Sequence, residues 1–169
     1  MSQNTTTTTA ASRSSSDSAA SSDQEIQSLH IQKEAFIDAS LEIVWESLLA
    51  EIGPESQMPD GKPMPFVLEA WPGGRWYRDL GNNAGHFWGN VQVIKPPTLL
   101  EISGPMFMSY AAANHLQYRL AAEGSGTKLT LTHRGFGQIP DEHRKGVNSG
   151  WQSKLDRIKQ IALQRKAKH

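Results

Sequence analysis

The sequence predicts an α+β domain in which a curved antiparallel sheet of about six to seven strands wraps around a long C-terminal helix. Three observations predict this class. A strand and a short helix come first, about six strand-like runs separated by turn residues follow, and a helical apolar stripe comes last. The expected order is one strand, one or two short helices, six strands and one long helix. Such wrapping leaves a space between sheet and helix, and whether that space holds a ligand is the functional question.

The chain has 169 residues, which is enough for one domain and a tail. Residues 1–27, MSQNTTTTTAASRSSSDSAASSDQEIQ, consist mainly of Ser, Thr and Ala. Such a segment buries almost no apolar surface to offset the entropy of ordering it, so we expect a disordered tail that serves as a passive extension. The folded domain is expected over residues 28–169.

Charge and cysteine content exclude several classes of function. The 17 basic and 17 acidic residues give a formal net charge of zero, which disfavours nucleic acid as a partner. Cysteine is absent, so disulfides, thiolate metal sites, iron–sulfur clusters and a thiol nucleophile are excluded. No run reaches the ~18 apolar residues of a membrane-spanning helix, and no secretory signal is recognisable at the start. We therefore expect a soluble cytoplasmic protein without a cofactor or bound metal.

The first strand and helix are predicted from SLHIQKEAFIDAS and the residues that follow it. Leu29 and Ile31 alternate with polar residues, as in a half-buried strand. Asp38 or Ser40 is placed to cap the helix. Apolar residues then recur at three- and four-residue steps, which predicts one buried face. That face comprises Leu41, Val44, Trp45, Leu48 and Ile52.

Turn sequences divide the next segment into an antiparallel meander. They are Pro72-Gly73-Gly74, Gly81-Asn82-Asn83 and Lys95-Pro96-Pro97. Glycine and asparagine tolerate positive φ, and proline cannot continue a hydrogen-bonded ladder, so each sequence favours a break between strands. Two further strands follow, separated by a turn at Glu123–Gly126. Alternation of apolar and polar residues along them places His115 on the outer face and His133 on the apolar face.

The last element is a helix whose buried stripe keeps helical spacing for about four turns. The stripe comprises Val147, Trp151, Leu155, Ile158 and Ala162. Gly146 and Gly150 weaken the first turns of this helix, which indicates close packing, a bend or a mobile entrance at that end.

Four stretches, IDASLEIVWESLL, WPGGRWYRD, HFWGNVQVIKPPTLLEIS and LTLTHRGFG…GWQSKLDRIKQ, resemble in this order the SRPBCC superfamily, the START-like or birch-pollen-allergen-like helix-grip proteins. Within it, the chain is most similar to the branch named after the homologue of the activator of the heat-shock chaperone ATPase. The likeness covers about Leu29 to Lys166. It implies a helix-grip fold with a mostly apolar cavity beneath the last helix, used in the superfamily for lipids, hormones and polyketides and catalytic only in some members. Oxygenase chemistry of the Rieske type is excluded, because the chain has no cysteine ligands.

The candidate ligand contacts are aromatic, methionine and leucine side chains, with one histidine, that would surround the space beneath the last helix. They are His133, Trp151, Tyr118, Met106, Met108, Tyr110, Trp88, Leu131 and Leu155. Trp151 is the strongest candidate, because it lies on the buried stripe next to Gly150. The segment from Met106 to Tyr110 follows a Gly-Pro break and is interpreted either as a loop over the cavity mouth or as a buried plug.

His133 has more than one interpretation. It orients a polar atom of a ligand, it moves a proton, or it is a structural residue satisfied by the backbone of the Gly135–Gly137 turn. A metal site that combines it with His86 and His115 is disfavoured, because His115 and His133 face opposite sides of the sheet.

Three functions remain. The first is non-catalytic binding of a small hydrophobic or amphipathic molecule, as a carrier or sensor, by a monomer or weak homodimer. The second is an enzyme of the polyketide cyclase or dehydratase type, in which His133 or Tyr118 acts as a proton shuttle. The third is interaction with a chaperone, for which a large exposed apolar patch would be the sign; strand alternation predicts none. We favour the first.

Overall fold

A computed structural model describes residues 25–168 of the chain. Over these residues it contains β1 (Gln27–Ile37), α1 (Leu41–Glu51), β2 (Val67–Leu68), β3 (Arg75–Gly81), β4 (Ala84–Lys95), β5 (Leu99–Gly104), β6 (Ala112–Glu123), β7 (Gly126–Gly137) and α2 (Asp141–Lys166). The strands form one antiparallel sheet in the order β1-β7-β6-β5-β4-β3-β2. The predicted class and order of elements are confirmed, with one short helix after β1. Most of the predicted tail, residues 1–24, lies outside the described residues, and Gln27 already belongs to β1.

Helix α1 begins where its capping residue predicts. The Ser40 hydroxyl accepts a hydrogen bond from the backbone N–H of Ile43 at 3.3 Å, so Ser40 rather than Asp38 is the N-cap. The predicted face is buried at Val44, Trp45, Leu48 and Ile52. Leu41 is only half-buried, because it is the first residue of the helix and lies at its edge. The helix packs mainly against α2.

The predicted hairpin turns are present. Gly81 pairs with Ala84, and Asn82 and Asn83 between them have φ values of 51° and 59°. Positive φ at both central residues is the type I′ geometry that matches the twist of two antiparallel strands. Strands β6 and β7 are joined in the same compact way, with Glu123 paired to Gly126.

The inner face of the sheet and α2 enclose the core. Leu116 and Tyr118 on β6 and Leu131 and His133 on β7 are fully buried, as alternation predicted. The whole predicted stripe of α2 is buried on the same side. This curved sheet around a long helix is the predicted helix-grip arrangement. No helix within residues 25–168 is long and apolar enough to cross a membrane.

The outer face of the sheet is more apolar than strand alternation predicted. Val67 on β2 pairs with Tyr77 on β3, which pairs with Phe87 on β4. Val67 and Phe87 are 40% and 46% exposed, so the three form an outward stripe beside the sheet edge. Strand alternation predicted no large exposed apolar patch, and that stays a prediction beside this stripe of three residues. Strand β2 has two residues, a run too short for an alternation pattern to reveal.

Candidate functional site

A pocket lies between the first turns of α2, the β5–β6 loop and the connection from α1 to β2. Its volume is about 280 Å³. Its apolar walls are formed by Pro59, Trp88, Phe107, Val147 and Trp151. Its polar lining residues are Glu142, His143, Ser153 and Lys154. Apolar walls with a few polar groups are typical of sites for small molecules.

Aromatic rings in the pocket wall are held in place by other rings. Trp88 and Phe107 meet edge to face with ring centroids 5.7 Å apart, and Phe107 and Trp151 meet similarly at 6.5 Å. Behind the wall, Trp88 packs edge to face on the buried Trp76 at 5.0 Å. Edge-to-face contacts add orientation to apolar burial, so the wall is largely formed before any ligand enters.

His133 lies behind Trp151 and is fully buried. The indole Nε1 of Trp151 donates a hydrogen bond to His133 Nδ1 at 2.9 Å, and His133 Nε2 lies 2.8 Å from Asn114 Oδ1. Because an indole N–H can only donate, Nδ1 must accept, and the proton of the neutral ring belongs on Nε2. Burial, with a smaller contribution from His115, lowers the pKa of His133 to about 4. The ring is therefore neutral at pH 7, and both nitrogens have protein partners.

The structural interpretation of His133 expected its hydrogen-bond partners to be backbone groups of the Gly135–Gly137 turn, and this is corrected. The partners are the side chains of Asn114 and Trp151. Asn114 was not among the residues predicted to matter for the site, although alternation places it on the same inward face as Leu116. An amide among apolar inward residues is the signal that would have found it, since buried polar groups need partners.

Asn114 extends the hydrogen-bonded chain to the β5–β6 loop. Its Nδ2 donates to the carbonyl of Pro105 at 3.2 Å and lies 3.3 Å from the Met108 sulfur. Phe107, between these two residues, lines the pocket. One buried chain of hydrogen bonds therefore holds both the indole of Trp151 and the loop that carries Phe107.

The β5–β6 loop combines the two interpretations made from the sequence. Met106 and Met108 are buried, as a plug requires. Phe107 instead forms part of the pocket wall. Tyr110 is half-buried, and its hydroxyl lies 2.7 Å from Nδ1 of His143, which lines the pocket from the first turn of α2. Two methionines of the loop thus pack into the core beneath the pocket, while Phe107 and Tyr110 close the pocket at one side.

Lys154 fastens the opposite side of the pocket. Its Nζ lies 2.7 Å from Glu51 Oε1, 2.8 Å from Ser56 Oγ and 2.8 Å from the carbonyl of Gln57. Burial raises the pKa of Glu51, and the hydrogen bond and charge of Lys154 oppose that rise. Since three acceptors surround the ammonium, Lys154 contributes its hydrocarbon stem to the pocket rather than a free charge.

Several of the predicted contacts lie away from the pocket. Tyr118, Leu131 and Leu155 are fully buried in the core. The Tyr118 hydroxyl has no hydrogen-bond partner among the described residues, and burial, with a smaller effect of the Glu51 charge, raises its pKa. Of the predicted set, Trp88 and Trp151 line the pocket. Contact of any of these residues with a ligand stays a prediction.

The chain is similar to known proteins both in sequence and in fold. The sequence model of a family described as Activator of Hsp90 ATPase homolog 1-like protein matches residues 38–162. The Mll3558 protein from Rhizobium loti superposes with a TM-score of 0.63 at 20% identity, covering 81% of this chain and 99% of that chain. CalU16 from Micromonospora echinospora does so with a TM-score of 0.54 at 24% identity, covering 81% and 76%.

A further structural neighbour is the di-domain ARO/CYC StfQ from the steffimycin biosynthetic pathway. The TM-score is 0.60 at 11% identity, and the alignment covers 83% of this chain and 52% of StfQ. Likeness at these identities shows a shared fold alone. No curated protein matches the chain in sequence.

Proposed function

The chain belongs to the Activator of Hsp90 ATPase homolog 1-like family, and on that premise we propose that it binds a small hydrophobic or amphipathic molecule without changing it covalently, as a carrier or a sensor. The observation that carries this proposal is the pocket of about 280 Å³ walled by Trp88, Phe107, Val147 and Trp151. A concave apolar site with few polar groups is the usual form of a small-molecule site.

Pocket size limits the ligand. A pocket of about 280 Å³ filled at the density of a protein interior holds roughly 10 to 15 non-hydrogen atoms. At roughly 0.5 kcal/mol per atom, such a ligand binds with a Kd of about 3 to 200 μM. This affinity suits reversible carriage or sensing better than permanent retention.

A cyclase- or dehydratase-like reaction is the second candidate, and the fold shared with the ARO/CYC protein StfQ supports it. The reaction would use His133 or Tyr118 as the proton shuttle. His133 already accepts from Trp151 and contacts Asn114, so proton transfer would first break these bonds. Burial raises the pKa of Tyr118, which disfavours its ionisation. These contacts favour binding over catalysis.

Interaction with a chaperone is the third candidate, because the family description refers to the Hsp90 ATPase. The outward stripe of Val67, Tyr77 and Phe87 suits a protein contact, but the pocket suits a small molecule more specifically.

We further propose that the protein is a monomer or weak homodimer in the cytoplasm. A chain without cysteine has no disulfide that the reducing conditions there could break.

Native mass spectrometry of the full-length protein tests the binding function. We expect either a copurified small molecule or a 1:1 complex formed with 2-naphthol or with decahydro-2-naphthol. Phe107→Ala is expected to weaken such binding about fivefold, because it removes part of the apolar wall. The matched control is Phe136→Ala on the outer face, where the ring is 62% exposed.

Two results would contradict the binding function. One is a protein that carries no copurified molecule and takes up neither probe. The other is equal weakening by Phe107→Ala and Phe136→Ala, which would place the bound probe outside the pocket.

A further inference from the structure

Four residues of α2 at successive i, i+4 positions line the pocket: Glu142, Gly146, Gly150 and Lys154. This spacing places them on one face of the helix. The two central positions are glycine, so the face between the acidic and the basic residue is bare backbone. By helical rise, the stretch from Glu142 to Lys154 measures about 18 Å, and the two glycines lie about 6 Å apart.

Neither packing nor backbone conformation requires these glycines. A Cβ atom built at Gly146 or Gly150 meets nothing within 4 Å, and neither residue has a positive φ. By contrast, a Cβ at Gly89 on β4 would lie 2.7 Å from a backbone oxygen of the neighbouring strand. Close packing, one of the three explanations suggested by the sequence, therefore does not account for Gly146 and Gly150.

Glycine inside a helix is among the least favourable residues, and alanine is the most favourable. Two glycines one turn apart on the same face of α2 therefore weaken this helix, and no packing contact in the described structure requires them. What they provide is space, because a side chain at either position would extend into the pocket.

The wall opposite this bare face is aromatic. Trp88 and Phe107 stand across the pocket from α2 and contact each other edge to face. The ammonium of Lys154 is already bound by Glu51, Ser56 and Gln57, so no free cation faces the interior at that end. A negative ligand charge placed between these walls would lose its hydration without a counter-charge, and Glu142, the carboxylate in the lining, is exposed to solvent at the start of α2 rather than enclosed between the walls.

We propose that Gly146 and Gly150 are specificity-determining residues that form a flat floor, and that the ligand is a planar, uncharged system of two or three fused rings lying between this floor and the aromatic wall. This inference rests on the proposed binding function and specifies its ligand class. A flat ring contacts both the bare helix face and the aromatic rings over its whole area, whereas a puckered ring or flexible chain contacts them only in part. The pocket volume of about 280 Å³ accommodates such a ring system.

Two probes with the same carbon skeleton and hydroxyl test the shape requirement. 2-Naphthol is flat, whereas decahydro-2-naphthol is puckered and more apolar. Burial of apolar area alone would favour the decahydro compound. In calorimetric titrations of the full-length protein we expect 2-naphthol to bind at least fivefold more tightly.

Alanine at a floor position separates a specificity role from a structural role. Gly150→Ala is expected to weaken 2-naphthol binding at least fivefold, because the new methyl group occupies the slot. The same variant should unfold about 2 to 5 °C higher, because alanine favours the helix. A residue needed only for folding would not improve stability while losing affinity. Asn148→Ala, at an exposed position of the same helix, is the matched control and should leave binding unchanged.

Three outcomes would overturn the inference while the binding function stands. They are equal or tighter binding of the decahydro compound, unchanged 2-naphthol binding by Gly150→Ala, and equal weakening by Asn148→Ala. Failure of the binding function has a different result, in which the wild-type protein carries no copurified molecule and binds neither probe.

Discussion

Acidification is expected to destabilise this domain through His133. The ring is fully buried, and its pKa is lowered to about 4 from an ordinary value of 6.5. Between these two pH values the unfolded chain binds a proton at His133 that the folded protein excludes. The contribution of His133 to the free energy of unfolding is therefore fully present above pH 6.5 and is lost as the pH falls toward 4. From pH 7 to pH 4.5, linkage gives a loss of about 2.5 kcal/mol from this residue alone.

The structure gives the reason for this loss in atomic terms. Protonation would turn Nδ1 of His133 into a donor that faces the Trp151 indole N–H, another donor. The hydrogen bond that joins His133 on β7 to Trp151 in the pocket wall would then be lost. The buried ring would also carry a charge. Binding of a pocket ligand to the folded protein should weaken only as the pH falls through about 4, where the folded-state ring takes up its proton.

His133→Gln is the informative variant, because an amide can accept from Trp151 and donate to Asn114 without titrating. Urea unfolding of the wild type, His133→Gln and the exposed control His30→Gln should be measured at pH 7 and pH 4.5. The wild type and His30→Gln should lose about 2.5 kcal/mol more than His133→Gln on acidification. Carboxylates titrate in all three proteins and cancel in the comparison.

Equal losses in the three proteins would refute the reasoning, because they would show that His133 is not held neutral by burial. NMR titration of the His133 ring in the wild type gives an independent test that needs no substitution. A ring that takes up its proton near pH 6.5 would refute it as well.

Three further predictions concern stability and are measured by thermal or urea unfolding at pH 7. Tyr118→Phe should stabilise the protein by about 1 kcal/mol, because it removes a buried hydroxyl without a partner among the described residues; a clear loss would show that the hydroxyl is hydrogen-bonded. Lys154→Met should cost about 3 kcal/mol by leaving the buried Glu51 with only the more distant Arg157, whose Nε lies 3.9 Å from Glu51 Oε2, as a counter-charge, and the double variant with Glu51→Gln should cost less; an equal or larger cost in the double variant would contradict this. Ser40→Ala should cost about 1 kcal/mol by removing the cap of α1, and no change would show that the cap is not needed.

The fold was largely predictable from local patterns. Alternation along β7 placed His133 inward, and the 3.6-residue stripe of α2 identified its buried face, because side-chain direction follows directly from the repeat of a strand or helix. The Asn82-Asn83 turn was predictable for the same reason, since its two residues tolerate the positive φ that a tight hairpin requires. Strand β2 was too short to show such a pattern.

The candidate site was predictable only in part. Trp88 and Trp151 were selected as large aromatic residues near the expected cavity, and both line the pocket. Tyr118 was selected by the same criterion and lies in the core, because inward direction does not say how deep in the sheet a side chain ends. The role of Gly146 and Gly150 was also open, since a helical glycine reports weak propensity but not what faces it.

The amino-acid sequence by itself determined the order of strands and helices, the face that each one buries, and the absence of any cysteine chemistry, because these depend on residue type and local repeat. Only the tertiary structure decided which distant residues meet. It joined Trp151, His133 and Asn114 from three elements into one hydrogen-bonded chain, and set the bare face of α2 against aromatic rings from β4 and the β5–β6 loop. Such contacts depend on the curvature of the sheet and the position of the helix on it, which many residues set together and no local pattern encodes.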